Sequence, residues 1–148
     1  MIVLREMREE DVAGVMRIEE VVSLFPWNYS IFSDCIKVGY SCWVFSEDED
    51  IVGYGLFSIA ANEAHILNLG IKPERQHQGL GRRMLTHLLK EMQAKRAVSA
   101  YLEVRVSNQI AFDLYQKMGF TVIGHRKDYY QANGGREDAS VLEYVFNA

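Results

Sequence analysis

Residues 67–85 of the 148-residue chain are LNLGIKPERQHQGLGRRML, and they contain three kinds of local pattern in succession. Apolar residues alternate over Leu67–Ile71 at the two-residue period of a strand, and Pro73 ends that strand because proline cannot donate to a sheet ladder. Apolar residues then recur every three or four positions over Leu80–Met92, which is typical of a helix with one buried face. The stretch therefore predicts a strand, a tight polar turn and a long helix.

The turn carries the pattern Gln76-x-x-Gly79-x-Gly81. Glycines let a ligand approach the backbone, and the first N–H groups of a helix have no partner within the helix. Such a turn can bind phosphate oxygens, helped by the helix dipole and by neighbouring arginines. A strand-to-helix turn whose glycines only permit tight packing explains the same residues. From the turn alone, both interpretations remain open.

The same pattern between a strand and a long helix resembles the acetyl-CoA turn of the GNAT acetyltransferases. In that family the backbone of the turn holds the pyrophosphate of coenzyme A. The turn lacks the Lys-Ser/Thr ending of a nucleoside-triphosphate loop and the Gly-x-Gly-x-x-Gly of dinucleotide-binding proteins.

Composition predicts one soluble globular domain spanning residues 1–148. The chain is 49% hydrophobic and 24% charged, with a formal charge of −4 and only two prolines. The N-terminal apolar run is too short for a secretory signal, and no segment approaches the roughly 20 apolar residues of a membrane helix. Cys35 and Cys42 are too few for a disulfide framework, so we expect a cytoplasmic protein in which both are structural. The negative charge argues against direct binding of nucleic acid.

Local patterns predict alternating strands and helices along the chain. We expect a strand over residues 2–7, a helix from Arg8 to near Ser23, and a second helix capped by Ser30 with Val38 among its apolar positions. Two apolar runs around the acidic residues 46–50 predict a β-hairpin with a solvated turn. Further strands are expected over residues 97–104, 120–124 and 140–146, with residues 129–138 as a connection. This order predicts a mixed sheet with helices on both faces.

Three residues of the second half are candidates for chemistry. The strands around Leu67–Ile71 and Leu102–Val104 are joined through the long helix, so they are expected to be parallel neighbours whose carboxyl ends flank a ligand site. Glu103 lies near the end of its strand, and Asn108 and Tyr115 lie on the following helix. Taken singly, each is better explained structurally, Glu103 as a surface carboxylate, Asn108 as a helix cap and Tyr115 as a core aromatic.

Taken together, these residues resemble a second GNAT motif, Asn108-x-x-Ala-x-x-x-Tyr115-x-x-x-Gly-Phe. With Phe25-Pro26-Trp27, the LEVRVSN segment of residues 102–108, Tyr129-Tyr130 and the GREDA segment of residues 135–139, the likeness narrows to the bacterial ribosomal-protein alanine N-acetyltransferases, the RimI type. The resemblance implies a general base, Glu103, and a general acid, Tyr115. It implies contacts with acetyl-CoA from Leu69, Gly70, Ile71, Gln76, His77, Gln78, Gly79, Leu80, Gly81, Arg82 and Asn108.

The proposed chemistry is consistent with the pKa values of the groups involved. An α-amine has a pKa near ~7.7–8.0, so a carboxylate has only to complete its deprotonation, directly or through one water. We expect burial to raise the pKa of Glu103, and Tyr115 to stabilise the leaving sulfur by a hydrogen bond. Backbone N–H groups around Gly70 are expected to polarise the thioester carbonyl. The four histidines show no metal spacing. His77 lies in the turn, and the others are expected on the surface or in packing.

The peptide groove is expected to involve six residues: Phe25, Trp27, Tyr130, Arg136, Glu137 and Asp138. The aromatic segment 24–29 either caps two helix ends or forms a wall for the substrate. Glu137 or Asp138 either receives basic residues of the substrate or pairs with Arg136 to make the loop rigid. Both pairs of alternatives remain open.

The resemblance thus implies a GNAT fold, an α/β architecture with a central, mixed and mostly antiparallel sheet. The implied activity is acetyl transfer from acetyl-CoA, without a metal, to the N-terminal alanine of the eighteenth protein of the small ribosomal subunit. The partner would be the N-terminus of a basic ribosomal protein. The enzyme would be a monomer or weak dimer, and it would contact neither nucleic acid nor a membrane directly. The alternatives are acetylation of a lysine side chain or a small amine, and a non-catalytic acyl-CoA sensor.

Overall fold

The computed structural model describes residues 1–147, which form seven strands and four helices. The strands are β1 (Ile2–Glu6), β2 (Ser41–Glu47), β3 (Asp50–Ala60), β4 (Glu63–Ile71), β5 (Ser99–Arg105), β6 (Thr121–Ala132) and β7 (Gly135–Val145). The helices are α1 (Val12–Val22), α2 (Tyr29–Lys37), α3 (Leu80–Ala94) and α4 (Gln109–Lys117). A single 3₁₀ turn precedes α1 and another follows β4.

The strands make one sheet in the order β1-β2-β3-β4-β5-β7-β6. β4 and β5 are parallel, with His65 opposite Tyr101, whereas β1 with β2, β2 with β3, β5 with β7 and β6 with β7 are antiparallel. The predicted mixed, mostly antiparallel sheet and its parallel central pair are therefore confirmed.

Contacts divide the chain into two compact units. The first comprises Met1–Ser58 and Ile66–Lys90, and the second comprises Ile59–His65 and the chain from Glu91 onward.

The first unit has helices on both faces of its strands, and the side chains of β2 alternate between these two faces. Cys42 and Val44 point into a core shared with α1 and α2. Trp43 lies on the opposite face, where its ring meets His87 of α3 at a centroid distance of 4.2 Å. The buried members of the α1 and α2 core are Met7, Val12, Val15, Ile18, Phe32, Cys35, Cys42, Val44, Tyr54 and Leu56.

The second unit contains the β5, β6 and β7 strands and α4. Tyr115 of α4 is 9% exposed, and its ring packs on Phe120 at 5.8 Å. Gly119 adopts a φ of +106° directly after the helix, as expected for a left-handed C-cap. This packing anchors α4 through an aromatic cluster that continues to Tyr144.

Three local predictions are wrong in detail. The cap of α2 is Asn28, whose Oδ1 accepts from the Ile31 N–H at 3.0 Å, and not Ser30. Val38, expected on the apolar face, follows the helix and is 64% exposed. Residues 129–138 are not a connection, because β6 and β7 continue to a two-residue turn at Asn133-Gly134. Asn-Gly is a strong hairpin signal, and charged residues on exposed strands obscured it.

Candidate active site

The glycine turn of the first unit is exposed between Gln76 and Gly79. His77 and Gly79 have φ values of +64° and +81°, and the Gly79 carbonyl accepts the Arg83 N–H at 3.0 Å as α3 begins. No protein atom lies within 4 Å of the position that a Cβ on Gly79 would take. Gly79 therefore allows the left-handed backbone conformation of the turn, and the space beside it is open to a ligand.

Polar side chains fix the shape of this turn. Gln76 donates from Nε2 to the Ile71 carbonyl at 3.0 Å, and Arg75 donates to Glu47 from Nε at 3.1 Å and from Nη2 at 2.5 Å. The first N–H groups of α3 have no acceptor within the helix, and Arg82 is exposed beside them. A turn of this kind, with an open Cβ position and a helix N-terminus, fits the pyrophosphate of acetyl-CoA.

Replacing Gly79 with alanine is expected to raise the KM for acetyl-CoA by about tenfold, because a left-handed conformation costs a Cβ-bearing residue roughly 1–2 kcal/mol. Steady-state kinetics and calorimetric titration with acetyl-CoA measure the effect. Gly39→Ala is the matched control, since Gly39 has a φ of +88° and equally open space around its Cβ position. Equal losses in both variants would show that strain alone, and not the turn, weakens binding.

Gly70 packs closely against a buried tyrosine, and its predicted contact with acetyl-CoA stays a prediction. A Cβ on Gly70 would collide with the hydroxyl of Tyr54, so the glycine is required by packing within the core. That hydroxyl donates to Glu19 at 2.6 Å. The small residue at position 70 is therefore explained without a ligand.

Glu19 is a buried carboxylate that the sequence analysis missed. It is 2% exposed, and besides Tyr54 it accepts from Asn68 Nδ2 at 3.1 Å and from the Trp27 backbone N–H at 3.0 Å. The Trp27 ring packs on Phe32 at 5.1 Å. Trp27 is therefore anchored from its backbone and its ring, while Phe25 remains 41% exposed. The signal was available, because Glu19 lies four residues after Val15 on the apolar face of α1.

Glu103 lies at the centre of a charged group in the second unit. Its side chain is 6% exposed, and Oε1 lies 2.7 Å from Nε2 of His65. Oε2 lies 3.6 Å from Nε of Arg126 on β6. The sequence analysis assigned neither partner, because both pairings join residues that are distant in sequence.

The expectation that burial raises the pKa of Glu103 is wrong. Burial does disfavour the charged carboxylate, but the hydrogen bond and charge of His65, the charge of Arg126 and a backbone N–H together outweigh it. The pKa of Glu103 is consequently lowered from its ordinary value. Glu103 is therefore ionised at neutral pH, and it is a weaker base than expected.

Tyr115 and Tyr130 are phenols of the same unit, and both remain protonated at neutral pH. Burial raises the pKa of Tyr115 to about 12. Burial also raises the pKa of Tyr130, with further contributions from Glu103, Tyr129 and Tyr115. Glu103, Tyr115 and Tyr130 all belong to the second unit.

Asn108 occupies the N-cap of α4, and its Oδ1 accepts the Ala111 N–H at 3.2 Å. The cap satisfies a backbone group that the first turn of a helix leaves without a partner. Its predicted contact with acetyl-CoA stays a prediction.

The side chains of residues 136–138 have partners inside the second unit. Glu137 accepts from the Ser107 N–H at 2.7 Å and from Arg105 Nη1 at 3.2 Å. Arg136 donates to the carbonyls of Asp128 and Tyr129 at 2.8 and 2.9 Å. Glu137 thus pairs with Arg105, and the Arg136 side chain stabilises the hairpin by donating to backbone carbonyls.

Asp138 completes this set of contacts, since its Oδ1 accepts the Asp128 N–H at 2.9 Å. Asp128 has a φ of +53° at an irregularity in the pairing of β6 with β7. The three polar side chains therefore support the shape of the hairpin.

Two further features of residues 1–147 concern membranes and metals. No helix in this range is long and apolar enough to cross a membrane. The same residues contain no group of three or more His, Cys, Asp or Glu side chains arranged to hold a metal ion.

Comparison with known proteins identifies one family over most of the chain. The family model of the acetyltransferase (GNAT) family matches residues 5–120. The chain is 30% identical over 139 residues to the ribosomal protein bS18-alanine N-acetyltransferase of Escherichia coli strain K12, covering 94% of each chain. It is 36% identical over 146 residues to a putative enzyme of the same name from Bacillus subtilis strain 168, covering 97% of this chain and 95% of the relative.

A solved structure gives the same result for the fold. The crystal structure of the ribosomal-protein-S18-alanine N-acetyltransferase from Escherichia coli superimposes with a TM-score of 0.93 at 28% identity. The alignment covers all of this chain and 96% of that chain. The two chains therefore share the same fold.

Proposed function

Because the chain belongs to the acetyltransferase (GNAT) family, we propose that it transfers the acetyl group of acetyl-CoA to the N-terminal alanine of ribosomal protein bS18. This choice of substrate rests on the near full-length similarity to relatives named for that reaction, at 30% and 36% identity. The similarity covers 94% of this chain for the first relative and 97% for the second. The function therefore follows from more than the family motif.

The turn from Gln76 to Arg82, with Leu69–Ile71 before it, would hold acetyl-CoA. Bound acetyl-CoA supplies the activated thioester that the amine attacks. The N–H groups at the start of α3 and the exposed Arg82 would bind the pyrophosphate, where a helix dipole favours negative charge. Asn108 on α4 would contact the pantetheine arm.

Glu103 would remove the proton of the substrate α-amine, directly or through one water. An α-amine with a pKa near ~7.7–8.0 is already partly neutral at pH 7, so a carboxylate with a lowered pKa is sufficient. A lysine ammonium, near ~10.4, would demand a stronger base. The charge environment of Glu103 thus favours an α-amine over a lysine side chain.

Tyr115 would donate a hydrogen bond to the sulfur as negative charge develops during departure of the thiolate. Its phenol stays protonated because burial raises its pKa to about 12. Tyr115 and Glu103 then have separate tasks, one at the leaving group and the other at the amine.

Phe25 and Trp27 in the first unit, and Tyr130 in the second, would each contact the substrate peptide. Trp27 is held from two sides in the first unit, and the Arg105 guanidinium lies 4.5 Å from the centre of the Tyr130 ring in the second. Aromatic side chains that are already ordered lose little conformational entropy when a substrate binds. Residues 136–138 would act through the shape of the hairpin.

The formal charge of −4 favours a basic protein partner over nucleic acid. We place the reaction in the cytoplasm, carried out by a monomer or weak dimer. Association with the ribosomal protein would be faster at low salt, because exposed charges attract over about 10 Å at 0.1 M ionic strength.

Turnover with a peptide that copies the N-terminus of bS18 tests the function. The expected result is one acetyl group per peptide, located by mass spectrometry on the terminal alanine and accompanied by release of one free thiol. The matched control is the same peptide with a blocked N-terminus, which is expected to remain unmodified. Turnover of the blocked peptide would indicate lysine acetylation instead. Binding of acetyl-CoA without turnover of any amine would indicate an acyl-CoA sensor.

A further inference from the structure

Glu103 combines deep burial with a lowered pKa, and this combination needs a specific cause. A carboxylate that is 6% exposed loses most of its hydration, which disfavours the charged form. Two basic side chains offset that loss, one on β4 and one on β6. The protein therefore uses neighbouring side chains to maintain the charge of the base.

The two basic neighbours differ in how closely they hold the carboxylate. His65 Nε2 lies 2.7 Å from Oε1, within the normal range for a hydrogen bond, and its side chain is 25% exposed. Arg126 Nε lies 3.6 Å from Oε2, beyond that range, and its side chain is 54% exposed. His65 is thus the direct hydrogen-bond partner.

The imidazole of His65 is itself held in place. Its ring stacks on Tyr101 of β5 with centroids 4.3 Å apart and planes 11° from parallel. His65 and Tyr101 are opposite each other in the parallel pairing of β4 with β5, and Glu103 lies two residues further along β5 on the same face. The donor is therefore fixed by both its strand and its ring.

We infer that His65 is a positioning residue for Glu103. Its Nε2–H group holds Oε1 in one orientation and leaves Oε2 to accept the proton of the amine. This inference rests on the proposed function, because it assigns His65 a role in the reaction of Glu103. A carboxylate fixed in this way is ionised before the substrate arrives and needs no reorientation.

Several other titratable or charged groups lie beside the pair or beside its neighbours. They are Tyr101 and Arg105 on β5, Arg126, Tyr129 and Tyr130 on β6, and Tyr115 on α4. Burial raises the pKa of both Tyr129 and Tyr130, and the charge of Glu103 adds to the effect, so these phenols are neutral near pH 7. His65 lies within hydrogen-bond distance of Glu103 at 2.7 Å, whereas Arg126 lies 3.6 Å away.

Replacing His65 with leucine and with glutamine separates positioning from packing. We expect His65→Leu to lower kcat with the bS18 peptide by about 10- to 100-fold, because a misplaced catalytic group reduces the rate by about this factor. The KM for acetyl-CoA should stay within about twofold of the wild-type value. His65→Gln retains an N–H donor, and it should recover most of the lost kcat. His125→Leu, at an exposed histidine of β6, is the matched control.

The pH profile provides a second measurement that a packing role would not change. Loss of His65 leaves burial in place and removes a group that lowers the pKa of Glu103, so that pKa should rise in His65→Leu. The loss of kcat that protonation of Glu103 causes at acidic pH, below the range in which the amine titrates, should then begin at a higher pH. Carbon-13 titration of the Glu103 carboxyl group measures the same rise without any substrate.

A double-mutant cycle with Glu103→Gln completes the test. If His65 acts through Glu103, adding His65→Leu to Glu103→Gln should cost less than threefold, or roughly 0.7 kcal/mol, beyond the single variant. Equal losses in the leucine and glutamine variants, with an unchanged Glu103 titration, would overturn the inference. An inactive wild-type protein whose Glu103 titration shifts in His65→Leu would overturn the proposed function and leave the pairing supported.

Discussion

Replacing Tyr115 with phenylalanine is expected to lower kcat by about 10²- to 10³-fold, the usual cost of removing one hydrogen-bond donor from a developing negative charge. The substitution removes the hydroxyl and keeps the ring that packs on Phe120 at 5.8 Å. Because Tyr115 is 9% exposed and that packing is retained, the melting temperature should change little. Release of free thiol from acetyl-CoA, with the bS18 peptide in excess, measures kcat.

The raised pKa of Tyr115 determines how the hydroxyl acts. With a pKa of about 12, the phenol is a weaker acid than a thiol near ~8.5, and full proton transfer to the thiolate would be uphill by roughly 5 kcal/mol. In the proposed reaction the hydroxyl would therefore act by hydrogen bonding, with solvent supplying the final proton. Since the phenol stays protonated above its ordinary value of 10.0, we expect no loss of activity from its ionisation up to about pH 10.

Tyr144→Phe is the matched control for this variant. Tyr144 belongs to the same aromatic cluster, with its ring 5.5 Å from that of Phe120, and it has no proposed contact with the reaction. Its kcat should remain within about twofold of wild type. A loss of less than threefold in Tyr115→Phe would show that the sulfur is stabilised by another group.

Replacing Glu103 with glutamine is the second variant for which we expect a large effect, a fall in kcat/KM of about 10²- to 10⁴-fold at pH 7. Glutamine has nearly the same shape, and its side-chain oxygen still accepts a hydrogen bond, but it cannot take a proton. The loss should therefore reflect proton removal and not a change of shape. Initial rates with the bS18 peptide across pH 6–10 measure it.

The pH dependence follows from the direction of the Glu103 shift. A carboxylate with a lowered pKa is charged throughout this range, so the rise of wild-type activity with pH should follow the α-amine near ~7.7–8.0. In Glu103→Gln the deficit should shrink as pH rises above 8, because the amine then arrives already neutral. A constant deficit from pH 6 to pH 10 would contradict a base that removes the first proton.

Glu143→Gln is the control for charge removal in the same unit. Glu143 lies on β7 opposite Tyr101 of β5, and the substitution changes the net charge by the same amount. It should leave kcat/KM within about twofold of wild type. An equal loss in both glutamine variants would point to a general charge effect.

The sequence by itself determined the elements whose signals are local. Alternating apolar residues before Pro73 and the glycine turn after it predicted β4, the turn and α3, because strand period, proline chemistry and helix period act over a few residues. The left-handed Gly119 after α4 followed from the same local chemistry. The parallel pairing of β4 with β5 also followed, since a helical connection between adjacent strands makes them parallel.

Only the tertiary structure decided which side chains meet at Glu103 and in which direction its pKa shifts. His65 and Glu103 are 38 residues apart and Arg126 is further along the chain, so their meeting depends on the register of three strands. The sign of the Glu103 pKa shift is a balance between burial and two charges, and that balance depends on distances of a few ångströms. Glu137 likewise pairs with Arg105 and not with its sequence neighbour, because cross-strand geometry decides which charges can meet.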